Sequence, residues 1–100
     1  MISKVHTSPR DGRILVSVVD SDLIGKKFEE GVIQLDLTVD FYKGTERTGE
    51  ETGDLIRNAD MVNLVGKDAI ALGIQEQVID PSQIKHVQGI PFASGAAYHN

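Results

Sequence analysis

The sequence predicts an α+β fold, in which a small antiparallel-rich or mixed sheet packs against two helices. Short apolar runs rich in Val and Ile, such as Ile14–Val19, have the length and composition of strands. Two longer segments, residues 48–60 and 67–77, carry apolar residues at helical spacing. The chain has 100 residues, the size of one domain. We expect one domain over residues 1–93 and a disordered tail over residues 94–100.

The first part of the chain predicts a β-hairpin followed by a further strand. Residues 2–6 alternate apolar and polar side chains, and residues 14–19 form a nearly continuous β-branched run, which is typical of a buried central strand. Between them, Pro9 and Gly12 favour a turn. Residues 32–37 alternate again, which predicts a half-buried strand.

The middle of the chain predicts a helical turn, the first helix and another strand. Residues 39–44 suit a single helical turn. Thr48 and Glu51 have the spacing of a capping box, so we expect a helix to begin there and to end near Asp60. The apolar run at residues 61–65 predicts a strand, with a helical continuation as the alternative.

The last part predicts the second helix and a closing hairpin. The helix is expected over residues 67–77, with Pro81 as its stop signal. Residues 84–87 and 90–93 flank a Gln-Gly turn and predict two short strands. Because Pro91 has no N–H to donate, its strand is predicted to lie at a sheet edge or to carry a bulge.

The composition limits the chemistry that we expect. The chain has no Cys, which excludes disulfides and thiolate nucleophiles. Its net charge of −5 disfavours nucleic acid on average, so any such binding needs a local patch. The strongest patch is N-terminal, where Lys4, Arg10 and Arg13 face only Asp11. No signal peptide or membrane span is evident, so we expect a cytoplasmic protein that does not contact a membrane.

Residues 19–31, which we call the connector, join two apolar runs and hold the densest mixture of acids, lysines and glycines. Two acids spaced as Asp-x-Asp suit a hard cation such as Mg²⁺, although solvated turn carboxylates are the more common outcome. Two lysines beside an aromatic ring suit phosphate, RNA or protein contacts, whereas the ring alone would suit a core position. The candidate binding residues are Asp20, Asp22, Gly25, Lys26, Lys27, Phe28 and Glu29.

Other polar residues are expected to be structural. Gly66 lies between a strand and a helix without the rest of a P-loop, which favours a close-packed turn over an anion site. Asn63 interrupts an apolar run, and we expect its amide to brace nearby backbone. His6, His86 and His99 lack metal-ligand spacing. We therefore predict no metal and no cofactor.

Four segments carry a resemblance to a known family. They are the connector and residues 59–66, 78–81 and 89–93, in the same order along the chain. With them the chain resembles the small, uncharacterised archaeal domain-of-unknown-function family numbered 424. The resemblance implies a single α+β domain of the archaeal cytoplasm, no known activity, and a loose association with translation-linked genes.

These observations predict a non-catalytic cytoplasmic binding or adaptor module, associated with translation or RNA. Its expected partner is a protein or a ribonucleoprotein. The alternative is a small enzyme that uses Asp20 and Asp22 with a divalent metal. The enzyme requires those two carboxylates to converge in a cleft, whereas the adaptor requires Lys26, Lys27 and Phe28 to be exposed.

Overall fold

The computed structural model describes residues 1–96, and these contain eight strands and two helices. The strands are β1 (Ile2–Thr7), β2 (Ile14–Val19), β3 (Lys27–Glu30), β4 (Ile33–Asp36), β5 (Thr45–Glu46), β6 (Met61–Val65), β7 (Lys85–Val87) and β8 (Ile90–Ala96). The helices are α1 (Gly49–Arg57) and α2 (Lys67–Gln75), and single 3-10 turns cover Asp40–Tyr42 and Pro81–Gln83.

Six strands form one mixed sheet in the order β5-β1-β2-β6-β8-β7. Its central pair, β2 and β6, is parallel, and every other neighbouring pair is antiparallel. Strands β3 and β4 form a separate two-stranded sheet. The predicted α+β class with a mixed sheet and two helices is confirmed.

Two hairpins predicted from the sequence are present. The β1–β2 hairpin closes with Thr7 opposite Ile14. The β7–β8 hairpin closes with Val87 opposite Ile90. In its two-residue turn, Gln88 has φ 49° and Gly89 has φ 77°, and a type I′ turn requires positive φ at both positions.

Helix α1 begins with the predicted capping box. Glu51 N donates to Thr48 Oγ1 over 3.1 Å, and Thr48 N donates to Glu51 Oε1 over 3.0 Å. The helix ends at Arg57 and not near Asp60. Asp60 instead pairs with the start of β2, since its N–H donates to Ile14 O and its carboxylate accepts from Ile14 N, both over 2.8 Å.

The predicted end of the second helix is wrong. Helix α2 ends at Gln75, and Gln77 takes the left-handed conformation with φ 60°. Gln77 N donates to Ile74 O and Val78 N donates to Gly73 O, each over 3.0 Å, which is the hydrogen-bond pattern of a Schellman motif. Pro81 does not stop the helix; it opens the second 3-10 turn.

The prediction for the position of the last strand is also wrong. Pro91 lies in β8, which is an inner strand between β6 and β7. Pro91 pairs with His86 on β7 and lies beyond the last β6 pair, Val65 with Phe92, and its carbonyl accepts from Gly66 N over 2.8 Å. Residues 94–96, which we expected in the tail, belong to β8, which pairs with β6 through Ala96. Residues 97–100 lie outside the described residues.

The main sheet carries a different layer on each face. Even-numbered apolar residues of β2 and β6 pack with both helices in the first core, for example Val16, Val18, Val62 and Leu64. Odd-numbered residues face the opposite way, and Val19 and Val65 pack in the second core against the β3–β4 hairpin. The hairpin covers only one end of this second face, and that incomplete cover defines the candidate site.

Candidate functional site

Two rows of side chains on the second face of the sheet remain open to solvent within residues 1–96. The strand register places them side by side, one row apolar and one row polar. Met61 is 45% exposed, although β6 is a central strand. We call the following residues the open strip: His6, Leu15, Met61 and Ala96 in the apolar row, and Lys4, Asn63 and Ser94 in the polar row.

An aromatic wall borders the strip along β1. The 3-10 turn places the Phe41 ring on the His6 ring, with centroids 4.3 Å apart and planes 14° apart, and Tyr42 meets Phe41 edge-on. The Phe41 carbonyl accepts from Ser17 Oγ over 3.2 Å and lies 3.1 Å from His6 Nε2. Since a carbonyl only accepts, His6 Nε2 carries the proton in this contact. The wall is therefore anchored to the sheet.

An apolar groove continues the strip beneath the β1–β2 loop. Its volume is about 330 Å³, and His6, Leu15 and Met61 form part of its lining. Arg13 and Asp11 also line it, with Arg13 Nε and Asp11 Oδ2 3.5 Å apart. The Arg13 backbone N–H holds the pKa of Asp11 below its usual value, so this carboxylate is charged at neutral pH. The groove thus joins an apolar floor to a charged rim.

Cations and carboxylates both lie around the rest of the strip, and Asp60 is the acid next to Met61. Lys4 Nζ donates to the Asp40 carbonyl over 2.7 Å. Arg10 is exposed, and Lys85 lies opposite Phe92 at the far side of the strip. Neither of these two cations has a charged partner among residues 1–96. Both are therefore available to an anionic partner.

The Asn63 amide has no hydrogen-bond partner among residues 1–96, so the prediction that it braces backbone is wrong for this part of the chain. It lies opposite Ser17 on β2 and Ser94 on β8. The Ser94 hydroxyl is likewise without a partner there, although its carbonyl accepts from Gln83 Nε2. The polar row therefore offers an amide and a hydroxyl that are free to donate and accept.

Asp20, the first residue of the predicted site, caps helix α2. Asp20 is 7% exposed, and its carboxylate accepts from Asp68 N over 3.0 Å and from Ala69 N over 2.9 Å. A Cβ on Gly66, where φ is 108°, would collide with this carboxylate. The predicted close-packed turn at Gly66 is thus confirmed, and the carboxylate stabilises the positive end of the helix dipole.

The connector brings Asp20 and Asp22 to one pocket, which Gly66 and Lys67 also line, and it spreads its other candidate residues elsewhere. Asp22 is exposed in the turn after Asp20, Gly25 N donates to Leu37 O over 2.9 Å, and Lys26 is exposed. Lys27 pairs with Glu29 at 3.5 Å on β3, and Phe28, opposite Leu35, packs in the second core. The adaptor hypothesis requires Lys26, Lys27 and Phe28 to be exposed. The two lysines are exposed, but the Phe28 ring packs in the second core.

Two further findings on residues 1–96 concern a metal site and a membrane-spanning helix. No group of three or more His, Asp or Glu side chains there is arranged to hold a metal ion. Neither helix in this range is long and apolar enough to cross a membrane.

Sequence reasoning missed the open strip. The available signal was Asn63, a polar residue in a strand whose even-numbered neighbours are fully apolar. Met61 and Leu15 gave no signal, because apolar residues in strands are ordinarily buried.

Comparison with known proteins agrees with this fold. A family model described as "Protein of unknown function (DUF424)" matches residues 7–96. A solved structure described as an uncharacterized conserved protein from Methanopyrus kandleri is similar to this chain, with a TM-score of 0.80 and 16% sequence identity. The similarity covers 99% of this chain and 94% of that one. No match was found among curated proteins.

Proposed function

The chain belongs to the family described as protein of unknown function (DUF424), and we propose that it is a non-catalytic cytoplasmic binding module whose partner contacts the open strip. The observation that supports this proposal is the unequal cover of β6. On one face of this strand, Val62 and Leu64 are buried beneath the helices. On the other face, Met61 is exposed and Asn63 is partly exposed.

Such a surface is unusual for a strand in this position. Strands in parallel pairs are normally covered on both faces, because both faces are apolar. Here β6 pairs in parallel with β2, yet the β3–β4 hairpin covers only the end of the second face near Val19 and Val65. The exposed apolar row, with free polar groups beside it, has the character of a contact surface.

Asp20 supports the non-catalytic part of the proposal. Both of its carboxylate oxygens accept hydrogen bonds from backbone N–H groups of α2. This capping role explains why the acid is buried, and no catalytic role is needed. The binding surface that we propose thus lies on the sheet face, and the connector supports the fold.

A photo-crosslinking residue placed at Met61 tests the proposal in cells. We expect a discrete crosslinked species from this position, and purified partner should then bind the purified protein. The matched control is the same residue at Ala71, which is exposed on α2 on the opposite side of the sheet. Equal crosslinking from both positions, or none from Met61, would refute the proposal.

A further inference from the structure

The size of the open strip limits its partner. Four strands at about 4.8 Å each make it about 19 Å wide, and two rows at about 7 Å each make it about 14 Å long along the strands. The strip itself therefore offers an area on the order of 200–300 Å². A stable interface between folded proteins buries about 800 Å² on each partner. The strip is thus too small for a folded protein and suits a short, extended chain.

The chemistry of the two rows suits bases. The His6 ring, Leu15 and Met61 form an apolar floor on which the faces of bases can lie, with the Phe41 wall beside it. The Asn63 amide has one acceptor oxygen and two donor hydrogens, which match the mixed pattern of a base edge. Ser94 offers a hydroxyl that can pair with a ribose 2′-hydroxyl.

The rim supplies charges for phosphates. Lys4 in the polar row and Lys85 at the far side of the strip have no carboxylate partner among residues 1–96, and Arg13 lines the groove. The carboxylates near this surface are Asp11, which pairs with Arg13, Asp40, which pairs with Lys43, and Asp60, which accepts from Ile14 N beside the apolar row. Cations therefore outnumber acids here, on a chain whose net charge is −5. Phosphates are drawn to such a local patch.

From the size of the open strip, the chemistry of its two rows and the charges around it, we propose that the open strip binds a short segment of single-stranded RNA, with Asn63 contacting a base edge. This inference rests on the proposed function, because it assigns a partner to the same surface. About two or three bases fit across the strip, as on other sheet faces that bind single strands.

The test uses the full chain and a fluorescently labelled pool of random RNA eight-mers, followed by anisotropy. If three phosphates are contacted, affinity falls about 20-fold between 50 and 200 mM salt. Met61→Glu should weaken binding at least about tenfold, because it places a charge beneath the bases. With the four labelled homopolymers as probes, Asn63→Leu should change the order of their affinities while keeping the salt dependence. Far-UV circular dichroism and thermal unfolding show whether each variant is folded.

Matched cation variants locate the surface. Lys85→Gln should weaken binding several-fold and reduce the salt dependence, since one phosphate contact is lost. Lys26→Gln removes an exposed cation of the connector and should leave affinity unchanged. The reverse result would move the site to the connector and overturn the inference. DNA of the same sequences should bind more weakly, and equal binding would overturn the assignment to RNA.

A binding experiment with a peptide distinguishes failure of the RNA inference from failure of the proposed function. An acidic peptide with apolar anchors is the rival occupant, and amide NMR shifts report where any probe binds. Shifts in the strip with the peptide and none with RNA would overturn the RNA assignment while the binding module stands. If the strip responds to neither probe and the Met61 crosslink is absent, both proposals fail.

Discussion

Replacing Asp20 with Ala tests the structural role of the acid that the sequence placed first in its candidate site. The variant loses two charge-assisted hydrogen bonds, to Asp68 N and Ala69 N, in a place that is almost closed to water. Loss of a helix cap costs about 1 kcal/mol, and a buried donor left without a partner costs about 1–3 kcal/mol. We therefore expect the free energy of unfolding to fall by about 2–4 kcal/mol.

That loss is a large part of the total stability of a domain of this size, which is about 5–15 kcal/mol. It corresponds to a fall in Tm of roughly 8–32 °C, taking about 4–8 °C per kcal/mol. Urea unfolding followed by circular dichroism measures it, and the m-value should stay constant because the folded surface is unchanged. Asp20→Asn keeps one acceptor oxygen and should lose about half as much.

Asp22→Ala is the matched control, because Asp22 is the exposed member of the same Asp-x-Asp pair. Its free energy of unfolding should change by no more than about 0.5 kcal/mol. If Asp20→Ala costs no more than Asp22→Ala, the carboxylate is not a structural cap.

Three further predictions concern the backbone and pH. Gln77→Gly should raise stability by about 0.5–1 kcal/mol in thermal unfolding, because glycine tolerates φ 60° without strain; a lower Tm would contradict this. Gly66→Ala should cost at least about 3 kcal/mol in urea unfolding, whereas Gly12→Ala, at φ 73° in open space, should cost about 1 kcal/mol; similar losses would show that the Asp20 collision is unimportant. The Thr48 backbone N–H lowers the pKa of Glu51 from its usual 4.5, so the charged cap stabilises the fold above that pH and loses its contribution as the pH falls through the lowered pKa. Glu51→Gln should therefore have a lower Tm than the parent chain at pH 7 and an equal Tm near the acid limit, and a constant difference would refute the linkage.

The strands and helix starts could be predicted because their signals are local. The β-branched run Ile14–Val19 predicts a strand, and the capping pair Thr48 and Glu51 predicts a helix start. Each prediction needs only a few neighbouring residues. Strand β3 was missed because three of its four residues are charged, and only Phe28 opposite Leu35 ties it to the core. Helix α2 ends at a left-handed Gln, which local preference disfavours.

The candidate site was harder to predict because its exposure depends on distant parts of the chain. Whether Met61 and Asn63 are covered depends on how far the β3–β4 hairpin extends over the sheet. Asp20 looked like a ligand because sequence does not show that the N-terminus of α2 lies beside it. Pro91 suggested an edge strand, and only the sheet order shows that β8 is internal.

The parallel pairing of β2 with β6 has a consequence for how the chain folds. Both hairpins of the main sheet close over a few residues, but the bond between Ile14 and Asp60 spans 46 positions. Closing so long a loop is the slow, entropically costly event, so β6 should enter the sheet in the rate-limiting step. Truncating Leu64 should therefore slow refolding, whereas truncating Leu35 in the small hairpin should mainly hasten unfolding.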